Sequence, residues 1–399
     1  KREVKMDGER HTYTKFGDDN TASGVFNMPK AVPVILLNIL LERFSTTAAS
    51  VLYLNRKLNF DSKSSTAIFH TYEMLVYGFN IVGAIIADSW WGHYNTVLSM
   101  SLLCAVGNGI VSIGAIERLN LPVVIFTFIG LVIAVVGAGS IRANLIAFGG
   151  DQYIASQQTD GLKLYFSIQF FFFKIGSLLG RSVNPILKEN VECLGMAECY
   201  PLGFGAPAVA MIGSFFLLLT IRSSYKRKPP SGNMLVKVIR CMTHGIRGRW
   251  KHKKQPNGHW LDSAERKCGA ELVAETKIVT AILKLYTPLP FYWVVYMQQG
   301  SGWILQASRM NGNIGFYTVT PEQMIALNSA FAIMLLPICN YLIYPLLYKL
   351  GIKTLLQKVT VGGMLAAVAS IVAAFVETEI EKKFVTILWL VPQYLLLAL

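Results

Sequence analysis

Ser65–Tyr94, STAIFHTYEMLVYGFNIVGAIIADSWWGHY, is the stretch on which the reading of this chain turns. At helical spacing His70, Glu73, Tyr77 and Asn80 follow one another at steps of three, four and three, so they share one face. Ile68, Phe69, Met74, Leu75, Val76, Phe79, Ile81 and Val82 make up the rest, a surface that lipid or a neighbouring helix accepts. Ionisable groups at membrane depth are costly and usually functional, so this helix reads as lipid-facing on one side and cavity-facing on the other. The plainer alternative places His70 and Glu73 near the interface, where long polar side chains snorkel to water.

Composition agrees. Of 399 residues 53% are hydrophobic and 15% charged, against about 25% charged in soluble domains, and the mean hydropathy is +0.44. Repeated apolar runs of spanning length define a polytopic membrane protein. The net charge of +14 then reflects Lys and Arg on cytoplasmic loops, not a nucleic-acid partner. Six scattered cysteines form no metal framework, and no cofactor is expected.

Residues 1–30 are polar and read as a disordered lead-in without a cleavable signal peptide. Spans are expected near Val32–Leu54, Ser65–Asp88, Thr96–Ile116, Leu121–Phe148, Leu164–Leu187 and Ala206–Ile221, giving a six-helix bundle over 31–221. Arg222 to Lys254 holds eleven Lys or Arg and no acid, and reads as a cytoplasmic linker; with a polar interfacial helix over Trp260–Lys277 it makes a 222–277 segment. Spans resume near Ile278–Tyr296, Met324–Leu347 and Leu355–Val376, with a last apolar run at Phe384–Leu399, so 278–399 reads as a partial second bundle, incomplete in this chain. Placing the basic linker inside puts the N-terminus and the 89–95, 149–163 and 348–354 connections inside too. The loop with Cys193 and Cys199 falls outside, where a disulfide between them is compatible with the redox environment.

The turn Gly83-Ala84-Ile85-Ile86-Ala87-Asp88-Ser89-Trp90-Trp91-Gly92 resembles the cytoplasmic loop motif of the major facilitator superfamily, with Gly83 and Gly92 allowing close packing and reversal and Asp88 capping or pairing with a helix end. Gly137-Ala138-Gly139-Ser140-Ile141-Arg142, Ala147-Phe148-Gly149-Gly150-Asp151, Phe166-Ser167-Ile168, Gly176-Ser177-Leu178-Leu179, Pro288-Leu289-Pro290-Phe291-Tyr292-Trp293 and Gln298–Ala307 follow in order. Together these resemble the proton-coupled oligopeptide transporter family, in particular its animal intestinal and renal type, from about Pro33 onward.

The resemblance implies an all-α, two-bundle transporter of the major facilitator superfamily, with small peptides and protons as its partners and the proton as coupling ion. Glu42 and Arg43 stand where the family has the second half of its E-x-x-E-R signature, which implies proton coupling for Glu42 and a hold on the peptide carboxylate for Arg43. His70 matches the second-helix proton-coupling histidine, Tyr77 a binding-site tyrosine, Arg142 a family Lys and Trp293 a pocket tryptophan. Asp88, Gly83, Gly92 and Asp151 are the structural and gating positions.

The chain departs from the pattern at Ile39 (for the first Glu), at Thr46 and Thr47 (for a Tyr pair), at Lys174 (for Asn), at Met297 (for Asp) and at Ala281 (for Arg), and Ser45–Tyr53 is about three residues short. Glu73 is an extra carboxylate for proton coupling, and Lys174 begins a polar stripe with Ser177, Arg181 and Asn184; Glu73 or Glu42 is expected to balance Lys174. The expected function is proton-coupled symport of di- and tripeptides by alternating access at the plasma membrane, with an endosomal or lysosomal membrane as the alternative address. Altered specificity, for an amino acid such as histidine or another small solute, and a non-transporting sensor are the rival functions. Nothing in the sequence marks an enzyme, since phosphate loops, HExxH and nucleophile elbows are absent. Oligomeric state is left open.

Overall fold

The computed structural model describes residues 28–46, 51–154, 158–189, 191–193, 195, 198–230, 232, 234–251 and 259–399. The polar lead-in through residue 27, Thr47 with the shortened run over 47–50, and linker residues 252–258 lie outside the described residues.

Helix α1 (Val32–Ser45) carries Pro33 in its first turn, where a missing N–H costs nothing. A helical turn at Tyr53–Lys57 precedes α2 (Ser62–Ile86). The Asp61 carboxylate accepts the N–H groups of Lys63 and Ser64 and so caps α2. Hydrogen bonds from Ser64 hold this carboxyl below its usual range. After a wider turn at Ala87–Trp91, Gly92 at φ +72° opens α3 (Gly92–Gly114). The apolar helical stretch Ser62–Gly114 counts 53 residues; at 1.5 Å each it would run about 80 Å, enough for two crossings, parted at Gly92. Helices α4 (Val123–Gly150), α5 (Thr159–Glu189) and α6 (Tyr200–Thr220) complete the first half.

Small residues bring these helices together. A Cβ on Gly83 would lie 2.4 Å from Ser140 Cα, and one on Gly137 would lie 2.6 Å from Cys104 N. α4 therefore seats backbone-close against both α2 and α3. The buried core draws Val32, Ile35 and Ile39 from α1 together with Val97, Ile141, Leu145 and Met211. On the outside, Ile125, Ile129 and Val132 of α4 and Val209, Ile212 and Phe216 of α6 stay exposed as apolar stripes. Such stripes suit hydrocarbon, not water.

The basic linker is more structured than its composition indicates. It contains α7 (Met234–Lys251), whose Cys241 is buried with Leu261, Ala264 and Val273. A short α8 (Glu265–Cys268) follows, then Gly269 at φ +83° and α9 (Ala270–Tyr286). The expected interfacial helix ending at Lys277 is thus two pieces, and the expected boundary at 277/278 falls inside α9. Glu271, Glu275 and Lys277 made the first turns of α9 look like linker; Lys277 is paired with Asp262 at 2.6 Å.

α10 (Leu289–Met297) and α11 (Gly302–Ala307) continue α9 after a bend of 47°. Pro288 and Pro290 explain that break by removing backbone donors. Then come α12 (Met324–Ile338), α13 (Tyr344–Lys349), α14 (Leu355–Lys382) and α15 (Val391–Ala398). A second core, with Trp303, Ala369, Ala373, Ile387 and Tyr394, belongs to this half alone.

The halves meet at the end of the bundle that carries the Cys193–Cys199 disulfide, where the Cα atoms are 5.3 Å apart. There Val51, Leu52 and Phe69 pack on Ile304 and Ile325. Gln323 donates to the Ser182 carbonyl at 3.4 Å, and Lys188 Nζ lies 3.5 Å from Glu322 Oε2. The opposite end carries the connection at 87–92 and residues 221–230 and 232.

Candidate functional site

Between the two halves the structure gathers charges from four helices. Glu42 and Arg43 of α1 are both buried, with Arg43 Nε 2.6 Å from Glu42 Oε2. Arg142 Nε of α4 approaches the other oxygen, Glu42 Oε1, at 3.9 Å. The Arg43 guanidinium stacks 4.3 Å over the Phe173 ring of α5, and that of Arg142 lies 5.3 Å from the Tyr77 ring of α2. Tyr77 in turn is 5.9 Å from Trp293 of α10, which belongs to the other half. Six residues thus form a continuous path from the first bundle to the second.

The ion pairs leave hydrogen-bonding capacity unused. Glu42 Oε1, Arg43 Nε and Arg142 Nε are buried without an aligned hydrogen-bond partner among the described residues. Charge holds them, while directional bonds stay available for a carboxylate or a proton. Glu73 lies one turn from His70 on α2, with no ion pair within 4 Å among the described residues. His70 Nε2 shares a hydrogen bond of 2.9 Å with Ser301 Oγ, just ahead of α11. The shared face of His70, Glu73 and Tyr77 therefore looks onto the seam between halves.

Lys174 is half-buried on α5, with Nζ 5.6 Å from the ring of Phe170. No ion pair within 4 Å joins it to Glu42 or Glu73 among the described residues; Glu42 is held by the two arginines instead.

At the linker end Asp88 and Asp151 flank a residue that sequence reasoning did not single out. His93 Nε2 lies 3.9 Å from Asp88 and 3.7 Å from Asp151, and its Nδ1 is 3.1 Å from Asn144 Oδ1. Lys228 Nζ pairs with Asp151 at 2.6 Å. The side chain of Gln152 accepts the Lys226 N–H at 2.9 Å and donates to the Lys226 carbonyl at 3.2 Å. Gly232 N–H donates to the Asp88 carbonyl at 3.1 Å. These bonds fasten the chain leaving α6 onto the ends of α2 and α4. Phe173, Ser301 and the Lys188–Glu322 pair were also missed: each is defined by a partner distant in sequence, although the seven-residue step from Lys174 through Arg181 to Lys188 was visible. Among the described residues no group of three or more His, Cys, Asp or Glu could hold a metal ion.

Two helical bundles, apolar on the outside and charged along the seam, define a multi-pass membrane protein with the fold of the major facilitator superfamily. A family model described as the POT family matches residues 94–399, and the chain belongs to that family. It is 38% identical over 359 residues to "Peptide transporter family 1" of Drosophila melanogaster, covering 89% of this chain and 48% of that relative. To "Solute carrier family 15 member 1" of Homo sapiens it is 36% identical over 376 residues, covering 90% of this chain and 53% of the relative. The chain therefore spans about half the length of the curated relatives it matches. Among solved structures, the in meso crystal structure of the POT family transporter PepTSo superposes with a TM-score of 0.75 at 24% identity, over 93% of this chain and 80% of that one. A crystal structure of a peptide transporter POT in complex with sulfate gives 0.72 at 21% identity, over 95% and 81%.

Proposed function

We propose that this protein carries di- and tripeptides across a membrane together with protons, by alternating access, as a transporter and not an enzyme. The observation that carries the reading is the Arg43–Glu42–Arg142 cluster, placed at the seam and linked through Tyr77 and Trp293 to the other half. Two guanidinium groups around one carboxylate leave a surplus positive charge, suited to a peptide's terminal carboxylate. Protonation of Glu42 frees both arginines for that carboxylate; its deprotonation recaptures them and releases the substrate. His70 and Glu73 sit along the same seam as further proton sites. Where a net charge crosses with the substrate, the membrane potential adds about 2.3 kcal/mol per charge per 100 mV.

The contacts between the halves at the disulfide end accord with a passage closed there and, with the basic segment inside, open toward the cytoplasm. The plasma membrane is the proposed address, which also accords with the disulfide. Ile39, buried in place of a first signature carboxylate, favours one second reading, a sensor that binds peptide without moving it. Uptake of a labelled dipeptide at acidic and at neutral external pH separates them. Acid-stimulated accumulation supports symport; binding without accumulation supports the sensor.

A further inference from the structure

We propose that α5 bears a cationic track, Lys174, Arg181 and Lys188, that makes the passage prefer peptides with an acidic side chain. The inference rests on the transport reading above and names its substrate class. Steps of seven residues keep the three side chains on nearly one face, drifting about 20° per step, and spread them over about 21 Å of helix. Where that face points is fixed at Lys188. Lys188 Nζ reaches Glu322 Oε2 at 3.5 Å, immediately ahead of α12 in the other half. Two turns earlier the backbone at Arg181 also lies against the other half. Ser182, next to Arg181, accepts from Gln323. By register Lys174 continues the same face toward the middle of the protein, beside the Phe173 ring that supports Arg43.

At Lys174 and Arg181 the track is not neutralised. No carboxylate lies within 4 Å of Lys174 or Arg181 among the described residues. The helices opposite offer none: α10, α11, α12, α13 and α15 contain no Asp or Glu. Lys188 has Glu322, and in the central cluster Glu42 is already shared by Arg43 and Arg142. Unpaired cations on a membrane-spanning helix are tolerated where they meet water or an anion. A neutral dipeptide brings one carboxylate and one ammonium; an acidic side chain adds the second carboxylate that Lys174 or Arg181 can hold.

The test uses the full-length protein in proteoliposomes, with labelled Ala-Glu, Ala-Ala and Ala-Lys, reading binding and accumulation separately. The wild type is expected to favour Ala-Glu over Ala-Ala in both. Lys174→Gln and Arg181→Gln should each lower the Ala-Glu to Ala-Ala ratio about tenfold, the size of one lost charge-assisted hydrogen bond, while Lys174→Arg keeps the ratio. Because the readout is a ratio, partial loss of folded protein cancels. Equal treatment of Ala-Glu and Ala-Ala by the wild type, or a ratio unmoved by both Gln substitutions, overturns the track and leaves transport standing. An Ala-Glu preference in binding without accumulation of any dipeptide overturns transport and leaves the track standing. No binding of any of the three overturns both.

Discussion

Lys188 of α5 and Glu322 ahead of α12 form a buried ion pair, 3.5 Å apart, that ties the two halves at the disulfide end. Removing one partner of a buried pair leaves a charge short of compensation and costs roughly 3–5 kcal/mol. Glu322→Gln is therefore expected to melt at lower temperature in detergent. It should also open the closed end, so that a cysteine placed at Ser177 labels faster with a water-soluble thiol reagent added from the disulfide side. Unchanged melting and labelling would remove the pair from the account.

Arg43 and Arg142 share Glu42, so their substitutions should not add. Each to Ala is expected to weaken dipeptide binding by roughly 10- to 100-fold, in line with about 1.5–3 kcal/mol for a charge-assisted bond. Arg43→Lys should recover little, because a point charge lacks the planar fork that stacks on Phe173. Binding measured on both single variants and the double variant gives the coupling directly; strict additivity speaks against a shared cluster.

Gly83 and Gly78 lie on the same helix with opposite surroundings. A Cβ at Gly83 meets the Ser140 backbone at 2.4 Å, whereas one at Gly78 meets nothing within 4 Å. Gly83→Ala should destabilise by about 1–3 kcal/mol through overpacking. Gly78→Ala should be neutral or stabilising by up to about 1 kcal/mol through helix propensity. Thermal melting of the two variants side by side checks the α2–α4 approach.

Gln152 is the clamp on the chain leaving α6. Gln152→Ala leaves the Lys226 N–H and carbonyl without these partners, at a cost of about 1–3 kcal/mol if they stay buried. Amide exchange at Lys226 and its neighbours should accelerate, while exchange in α3 stays as it was. Equal exchange at Lys226 in both proteins would show that the segment is held by other contacts.

Much of this architecture is legible in the sequence, for a physical reason. A bilayer demands apolar runs of fixed length, so the helices over Ser62–Ile86, Val123–Gly150 and Leu355–Lys382 announce themselves. The three-four-three spacing of His70, Glu73, Tyr77 and Asn80 marked the face that turns to the seam, because period alone defines a helix face. What stayed hidden depends on neighbours in space. Arg142, far from Glu42 in sequence, takes the place expected for Lys174, and His93 gains meaning only when α2 and α4 end side by side. Composition misled at the linker: eleven basic residues between Arg222 and Lys254 conceal α7, whose Cys241 buries against Leu261 and Val273 from the segment that follows. The charges that open α9 hid its start at Ala270 for the same reason.

On the proposed mechanism, the Glu42–Arg43–Arg142 cluster couples a proton to a bound peptide. Its most direct test is accumulation of a labelled dipeptide in proteoliposomes under an inward proton gradient, comparing wild type with Glu42→Gln. The wild type is expected to accumulate dipeptide above equilibrium and to lose that accumulation on adding a protonophore, while Glu42→Gln equilibrates it independently of the gradient. Accumulation that survives Glu42→Gln unchanged, or a wild type that never exceeds equilibrium, would contradict it.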